Sequence, residues 1–160
     1  QIKVAGNELF REGIIRKAKR KYEKARRYLQ ARDAVTMLNT AVYPKNGDLL
    51  SKLTFDNQNS LFLDKDELER QPALVSLKVS CLLNLAQCEI LLNRSLEAIV
   101  LCTEVIEVDS KNAKAFYRRG CARLERRYYQ LAVNDLTRAY NLAPSDAVRR
   151  KCAFARKKLA

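Results

Sequence analysis

A short run rich in cations and aromatic rings, KNAKAFYRRG, spans residues 111–120. Its Lys114 and Arg118 are four positions apart, so on a helix both side chains lie on one face, about 6 Å apart at their origins. Phe116 and Tyr117 stand between them in the chain. Two cations with aromatic rings beside them suit an anion that is attached to an apolar group. The run therefore predicts a binding site for such a ligand.

The overall composition suits one helical domain and excludes several kinds of chemistry. The chain has 160 residues, of which 48% are hydrophobic, with only 4 Gly and 3 Pro, a balance that favours helix over sheet. It has no histidine, which removes Ser/His and Cys/His nucleophiles and the commonest metal ligand. It also has no Gly-rich phosphate loop and no paired acids that suggest a catalytic cleft. We therefore expect no enzyme activity, no catalytic residues, no cofactor and no metal for these residues.

The cysteines and the termini bear on the cellular compartment. The five cysteines are odd in number and form no C-x-x-C pair, so we interpret them as core residues of a reducing compartment. No signal peptide is evident, and no apolar run approaches the length of a membrane span. These features predict a cytoplasmic protein, with the nucleus as the alternative. The chain opens at Gln1 rather than at Met, which indicates a piece of a longer protein.

The net charge of +13 predicts an acidic partner, which could be nucleic acid, an anionic membrane or an acidic peptide. The most basic run is RKAKRKYEKARR, at 16–27. Its cations alternate with the apolar Ala18, Tyr22 and Ala25, which is typical of one solvated helix face. We therefore expect no nucleic-acid partner. A steep salt dependence without peptide binding would favour nucleic acid instead.

One pattern of small and large residues occurs three times. In each copy a small residue is followed, at fixed intervals, by a small, a large and another small residue. The second and third copies are offset by 34 positions. The three copies are Gly6, Ala18, Tyr22, Ala25; Ala86, Ala98, Cys102, Val105; and Gly120, Ala132, Leu136, Ala139. Pro144 closes the third copy. This period and pattern are the signature of tetratricopeptide repeats, each made of two antiparallel helices.

The pattern predicts an all-α fold in a single domain, 1–160. We expect a right-handed tetratricopeptide solenoid of three helix-turn-helix repeats plus a C-terminal capping helix, with a long insert between repeats 1 and 2. The bounds are about 1–42 for repeat 1, 43–71 for the insert, 72–110 for repeat 2, 111–144 for repeat 3 and 145–160 for the capping helix. Pro72 is predicted in the first turn of its helix, and Ser95 and Ser145 are predicted N-caps.

The last predicted helix is amphipathic. Val148, Cys152, Ala155 and Leu159 fall on one stripe, while the other face is strongly basic. A repeat array needs such a helix to cover its last apolar face, so we interpret the helix chiefly as a cap. A basic amphipathic helix is also typical of calmodulin or membrane-surface targets, and calmodulin stays a secondary candidate partner.

Polar residues on the first helices of the three repeats fall in register. Asn84 lies inside an apolar stretch, CLLNLAQC, where an asparagine costs helix propensity and desolvation. Its presence there is better explained if its amide meets a ligand in the groove. We expect three cations and two amides on the inner wall of the solenoid, where together they could hold two carboxylates by charge-assisted hydrogen bonds: Lys3, Asn7, Asn84, Lys114 and Arg118. Individually, each could instead be an ordinary solvated helix residue.

The runs GNELF, KYEKA, LLNLAQC and KAFYRRG resemble the tetratricopeptide domain of immunophilin co-chaperones. That group comprises the large FK506-binding proteins, the 40-kDa cyclophilin and the aryl-hydrocarbon-receptor-interacting protein. The resemblance covers nearly the whole chain apart from 45–70. It implies a carboxylate clamp for the C-terminal Glu-Glu-Val-Asp of heat-shock protein 90 or 70. The clamp residues implied are Lys3 and Asn7, Asn84, and Lys114 and Arg118, with Phe10 and Tyr117 lining the pocket for apolar side chains.

The chain also departs from that family. Glu89 and Arg123 occupy positions that often hold larger, less charged residues, and the insert is longer than usual. The resemblance implies that a prolyl-isomerase or isomerase-like domain precedes Gln1 in the parent protein. A tetratricopeptide scaffold for a different acidic peptide or protein remains open, because a clamp recognises a terminal carboxylate better than the protein that bears it.

Overall fold

The computed structural model describes the backbone of residues 1–42 and 65–159, and the side chains of 1–31 and 72–159. Most of the predicted insert therefore lies outside the described residues. The described part of the chain forms seven α-helices: α1 (Ile2–Arg11), α2 (Ile15–Val42), α3 (Lys65–Leu91), α4 (Ser95–Val108), α5 (Ala113–Glu125), α6 (Tyr129–Leu142) and α7 (Asp146–Leu159).

The helices pack in sequence, each against the next along the chain. In addition, α3 contacts α5, and α5 contacts α7. The first helices of the second and third hairpins therefore lie side by side, followed by the seventh helix. This arrangement confirms the prediction of an all-α array of three hairpins closed by one more helix.

Small residues allow the paired helices to approach closely. Gly6 and Gly120 are both buried. A Cβ atom added at Gly6 would lie 2.7 Å from Cε1 of Tyr22, and one added at Gly120 would lie 2.8 Å from Cγ of Leu136. In the first and third hairpins, the small residue of the first helix thus makes room for the large residue of the second, as the repeated pattern predicts. Ala86 is fully buried in the equivalent place of the second hairpin.

Each hairpin turns through a residue with left-handed backbone. The φ angles are +75° at Gly13, 59° at Asn93 and 61° at Arg127. Glycine adopts this conformation freely and asparagine fairly well, whereas an arginine there is strained. The three turns share one geometry although their residue types differ, because the packing of the paired helices fixes where the chain must reverse.

Two local predictions for the second repeat are wrong. The helix predicted from Pro72 begins at Lys65, so Pro72 lies inside α3. Ser95 is the first residue of α4 rather than its N-cap, which is Arg94 without a side-chain hydrogen bond. The Ser95 hydroxyl instead donates to the Glu125 carboxylate on the next hairpin. The hydroxyl that the local sequence predicts as a helix cap therefore makes a tertiary hydrogen bond instead.

The centre of the core is α3, whose buried side chains contact residues of α2, α4 and α5. Its segment Pro72–Leu91 has 20 residues with a mean hydropathy of 1.5, so by length and composition alone it could cross a membrane. The expectation that no apolar run approaches that length is therefore wrong. In this fold the segment is the central packed helix.

The last helix covers the third hairpin as predicted. Val148, Cys152 and Ala155 of α7 are buried, whereas Leu159, which was expected on the same stripe, is exposed. The Ser145 hydroxyl accepts a hydrogen bond from the backbone N–H of Val148 at 3.3 Å, as expected of an N-cap. The basic face of α7 is exposed, and its use by calmodulin stays a prediction.

The cysteines lie in the protein as core residues. All five are free thiols, and all but the half-buried Cys121 are buried. Burial raises the pKa of the Cys88 thiol to about 11 and that of the Cys102 thiol to about 12. Such thiols stay protonated and unreactive at neutral pH.

Candidate functional site

The five residues predicted to hold an anion come from α1, α3 and α5; two of them are hydrogen-bonded to each other, and a third bonds to the residue that precedes Asn84. The Asn84 amide donates to the side-chain oxygen of Asn7 at 3.1 Å, which links α3 to α1. The guanidinium of Arg118 donates to the backbone carbonyl of Leu83 at 2.6 Å, which links α5 to α3. We call the five residues the clamp set: Lys3, Asn7, Asn84, Lys114 and Arg118.

A buried tyrosine that the sequence analysis did not assign to the site fixes the orientation of one clamp amide. The hydroxyl of Tyr22, on α2, donates to Oδ1 of Asn7 at 2.8 Å. Since Asn84 donates to the same oxygen, both acceptor positions of that oxygen are filled. The NH₂ group of Asn7 is thereby left to donate to another acceptor. The sequence carried one signal of this role: Tyr22 has a hydroxyl, whereas the equivalent positions of the other two repeats hold Cys102 and Leu136.

Arg118 is a half-buried cation that meets no carboxylate among the residues that the structure describes. Its one hydrogen bond to another described residue goes to a backbone carbonyl, and burial lowers its pKa. Four other partly buried cations of the described part meet carboxylates: Lys19 pairs with Glu89 at 3.0 Å, Arg26 with Glu104 at 2.7 Å, and Arg119 and Arg123 with Asp135 at 2.9 and 2.7 Å. Desolvating a cation without a counter-ion costs free energy. An anion arriving at Arg118 would recover that cost.

The two lysines of the clamp set also keep their ammonium groups free of carboxylates among the described residues. Lys3 is partly buried, close enough to Cys81 for its charge to counteract the rise in the pKa of that thiol. Lys114 is exposed, one helical turn before Arg118 on α5. Both can therefore turn to a ligand without breaking an ion pair.

The two predicted rim residues lie in different surroundings. Phe10 is half-buried against the main core cluster. Tyr117 is half-buried against the cluster of Leu136, Cys152 and Ala155, on the side of α6 and α7, and burial raises the pKa of its hydroxyl. Packing between hairpins thus occupies part of the Tyr117 ring, while its role at the rim stays a prediction.

The two charged residues that depart from the family pattern both have partners. Glu89 is buried and receives the Lys19 ammonium at 3.0 Å. Arg123 and Arg119 both donate to the buried carboxylate of Asp135, at 2.7 and 2.9 Å. These charges therefore join neighbouring helices within the array.

The clamp set consists of groups that donate hydrogen bonds: two ammonium groups, one guanidinium and two amides. Hydrogen bonds that such groups donate to an anion are the strong ones. The set includes no nucleophile or general base. What this arrangement can do is bind a carboxylate.

Comparison with known proteins agrees with this structure. No family model matches the chain. The chain is 32% identical over 150 residues to the peptidyl-prolyl cis-trans isomerase FKBP42 of Arabidopsis thaliana, a match that covers 93% of this chain and 33% of that protein. The chain thus spans about a third of the length of this relative.

Solved structures show the same fold. The C-terminal TPR-containing domain of a putative FK506-binding protein of Plasmodium falciparum has a TM-score of 0.70 at 24% identity, covering 99% of this chain and 85% of that one. The first TPR of Spaghetti (RPAP3), bound to the HSP90 peptide SRMEEVD, has a TM-score of 0.64 at 17% identity, covering 99% and 90%. The chain is a tetratricopeptide-repeat domain related to those of the large FK506-binding immunophilins and of co-chaperones.

Proposed function

We propose that this domain is the chaperone-binding module of an immunophilin co-chaperone. It binds the C-terminal Glu-Glu-Val-Asp of heat-shock protein 90 or 70 through the clamp set. The observation that carries the proposal is Arg118, a half-buried guanidinium with no carboxylate partner among the described residues. A peptide with two carboxylates at its end supplies the missing counter-ion.

We assign the following roles to the members of the clamp set. Asn7 offers its NH₂ group, because Tyr22 and Asn84 occupy its oxygen. Lys114 and Arg118 approach from α5, and Lys3 approaches from α1. In this arrangement the terminal carboxylate and the last aspartate of the peptide lie among these donors. Phe10, and Tyr117 with the exposed part of its ring, contact the apolar side chains of the peptide.

The comparisons support the choice of ligand. The Spaghetti domain, which shares the fold, is bound to an HSP90 peptide that ends in MEEVD. The relative FKBP42 is a peptidyl-prolyl isomerase. We assign the binding role to this chain and the isomerase, or an inactive isomerase-like domain, to another part of a cytoplasmic parent protein.

Calorimetric titration with Met-Glu-Glu-Val-Asp tests this function, using the peptide with a free and with an amidated C-terminus. We expect a dissociation constant on the order of micromolar for the free acid, since a short disordered peptide loses entropy on binding. Amidation should abolish binding because it removes the charge that the clamp recognises.

Two variants locate the binding on the protein. Lys114→Ala removes one charge-assisted hydrogen bond and should weaken binding roughly 10- to 100-fold. Lys111→Ala is the matched control, because Lys111 is an exposed lysine near the start of the same helix and is outside the clamp set. Equal binding of the free-acid and the amidated peptide, or equal losses in Lys114→Ala and Lys111→Ala, would contradict the proposal. Binding of a different acidic C-terminal peptide through Lys114, without MEEVD binding, would favour the other-ligand alternative.

A further inference from the structure

A second groove lies between α2 and α4, above α3, on helices other than those that carry most of the clamp set. It has two adjoining lobes, with volumes of about 370 Å³ and 450 Å³, which share Lys19, Glu23 and Arg94 in their walls. Of its three helices, only α3 also carries a clamp residue. We call it the α2–α4 groove.

The smaller lobe is cationic. Its lining holds Arg16, Lys19, Arg20 and Arg94, and one carboxylate, that of Glu23. Lys19 is engaged by carboxylates. The three arginines are exposed and meet no carboxylate within the described part of the chain. This end of the groove has an excess of positive charge that nothing described in the protein neutralises.

The larger lobe exposes mainly apolar surface, although six of its ten lining residues are charged, among them a buried carboxylate. Leu85, Leu96, Val100 and Leu101 line it, and of these Leu96 and Val100 are 50% and 62% exposed. Glu89 also lines it and is only 4% exposed. These side chains give an apolar surface with an acidic group beneath it.

Only one oxygen of the Glu89 carboxylate is satisfied. Its Oε1 pairs with Lys19 at 3.0 Å, while Oε2 is buried without a hydrogen-bond partner. A buried acceptor left unpaired costs free energy that a donor would recover. Because that oxygen has less than 1 Å² of accessible surface, a ligand N–H would reach it only after the side chains that cover it move.

We propose that the α2–α4 groove binds an internal segment of a partner protein in which acidic residues adjoin apolar ones. The acidic residues pair with Arg16, Arg20 and Arg94, and the apolar side chains cover Leu96 and Val100. A peptide fits better than a membrane or a nucleic acid for two reasons. The cationic lobe adjoins an apolar one, which a nucleic-acid backbone does not match, and the exposed Glu97 within the lining repels a continuous anionic surface. This surface is additional to the clamp set and requires no free C-terminus.

Peptide selection on the intact domain tests the proposal. The probe is a random twelve-residue library displayed at the N-terminus of a phage coat protein, so that no peptide offers the free carboxylate that a clamp needs. We expect enrichment of peptides with acidic residues beside apolar ones. The enriched peptides, made with amidated C-termini, should bind with dissociation constants on the order of 10 µM. No enrichment, or enrichment of peptides without acidic residues, would overturn the proposal.

Matched charge reversals then locate the binding. Arg16→Glu/Arg20→Glu should weaken it at least tenfold, because two ion pairs become repulsive. Lys17→Glu/Lys21→Glu changes the same charge at the same spacing on α2, but at exposed residues outside the groove lining. It should weaken binding less than threefold. Val100→Ser, at an exposed position that leaves the core intact, should weaken it several-fold through lost apolar contact.

The outcome is independent of the proposed clamp. Lys114→Ala should leave binding of the selected peptides unchanged, and Arg16→Glu/Arg20→Glu should leave MEEVD binding within threefold. Equal losses from the two double variants, or loss of the selected peptides with Lys114→Ala, would overturn the groove assignment. Binding of phosphatidylserine vesicles or single-stranded RNA through Arg16 and Arg20, with no peptide enriched, would also overturn the groove assignment.

Discussion

Replacing Tyr22 with phenylalanine removes one hydroxyl from the interior of the first hairpin and leaves the ring in place. That hydroxyl donates to the Asn7 side-chain oxygen at 2.8 Å, and Tyr22 is only 1% exposed. The substitution creates almost no cavity. It therefore isolates the contribution of one hydrogen bond that joins α2 to the clamp set.

The structure sets the size of the effect. A hydrogen bond between neutral groups contributes about 0.5–1.5 kcal/mol. The Asn7 oxygen keeps its second donor, Asn84, at 3.1 Å, so it is not left unsatisfied and the loss should stay within that range. With a urea m-value of about 1–3 kcal/mol per molar, the unfolding midpoint should fall by roughly 0.5 M. Because one of two groups that orient the Asn7 amide is lost, MEEVD affinity should fall about threefold to fivefold under the proposed function.

Urea unfolding followed by circular dichroism measures the first effect, and calorimetry measures the second. Tyr28→Phe is the matched control, because Tyr28 lies on the same helix with 69% of its surface exposed. It should change neither quantity. The reasoning is refuted if Tyr22→Phe leaves the midpoint unchanged, or if Tyr28→Phe lowers it equally.

Three further predictions concern the core. Gly120→Ala places a methyl group 2.8 Å from Cγ of Leu136. The steric cost exceeds the gain in helix propensity, so the variant should lower the free energy of unfolding by about 1–2 kcal/mol, as measured by urea unfolding. Asp135→Ala leaves two partly buried guanidinium groups without their shared carboxylate and should cost about 3–5 kcal/mol in the same assay. Burial raises the pKa of Cys88 to about 11 and that of Cys102 to about 12, so the folded state holds these protons more tightly than the unfolded state. The resulting stabilisation is complete below about pH 9 and should be lost as the pH rises through 11 and 12, which urea midpoints from pH 8 to 11 would show.

Each of these predictions has an outcome that contradicts it. A stabilised Gly120→Ala variant would mean that the first and second helices of the third hairpin are not in tight contact. Asp146→Ala removes an exposed carboxylate paired with Arg149 and should change stability by less than about 0.5 kcal/mol. If Asp146→Ala lowered the free energy of unfolding as much as Asp135→Ala, the larger loss could not be attributed to the buried ion pairs of Asp135. A stability profile that stays flat above pH 9, or one whose slope Cys88→Ala with Cys102→Ala does not reduce, would argue against the thiol assignment.

The repeated steric pattern made the hairpins predictable, because the same close approach recurs at a fixed interval. Gly6 and Gly120 each face the large residue of their partner helix. The start of α3 was less predictable, since a proline suits a first helical turn. Yet the preceding KDELERQ is rich in helix formers, and the helix begins at Lys65. The summed helix propensity of these seven residues outweighed the tendency of Pro72 to mark the start of a helix.

The site residues could be placed in register, but their hydrogen bonds could not. Ser95 donates to Glu125, thirty positions away, and Tyr22 and Asn84 converge on Asn7. Such partners depend on the separation of helices that are distant in sequence. Periodicity shows which face a side chain occupies, and only the packed helices decide which atom it meets.

The most direct test of the central claim is a nuclear magnetic resonance titration of the labelled domain with MEEVD, observing side-chain amide and guanidinium N–H groups. The proposed clamp predicts that the signals of Asn7, Asn84 and Arg118 shift together and saturate at one peptide equivalent, and that the amidated peptide shifts none of them. Shifts confined to the α2–α4 groove or to α7, or identical shifts with the amidated peptide, would contradict it.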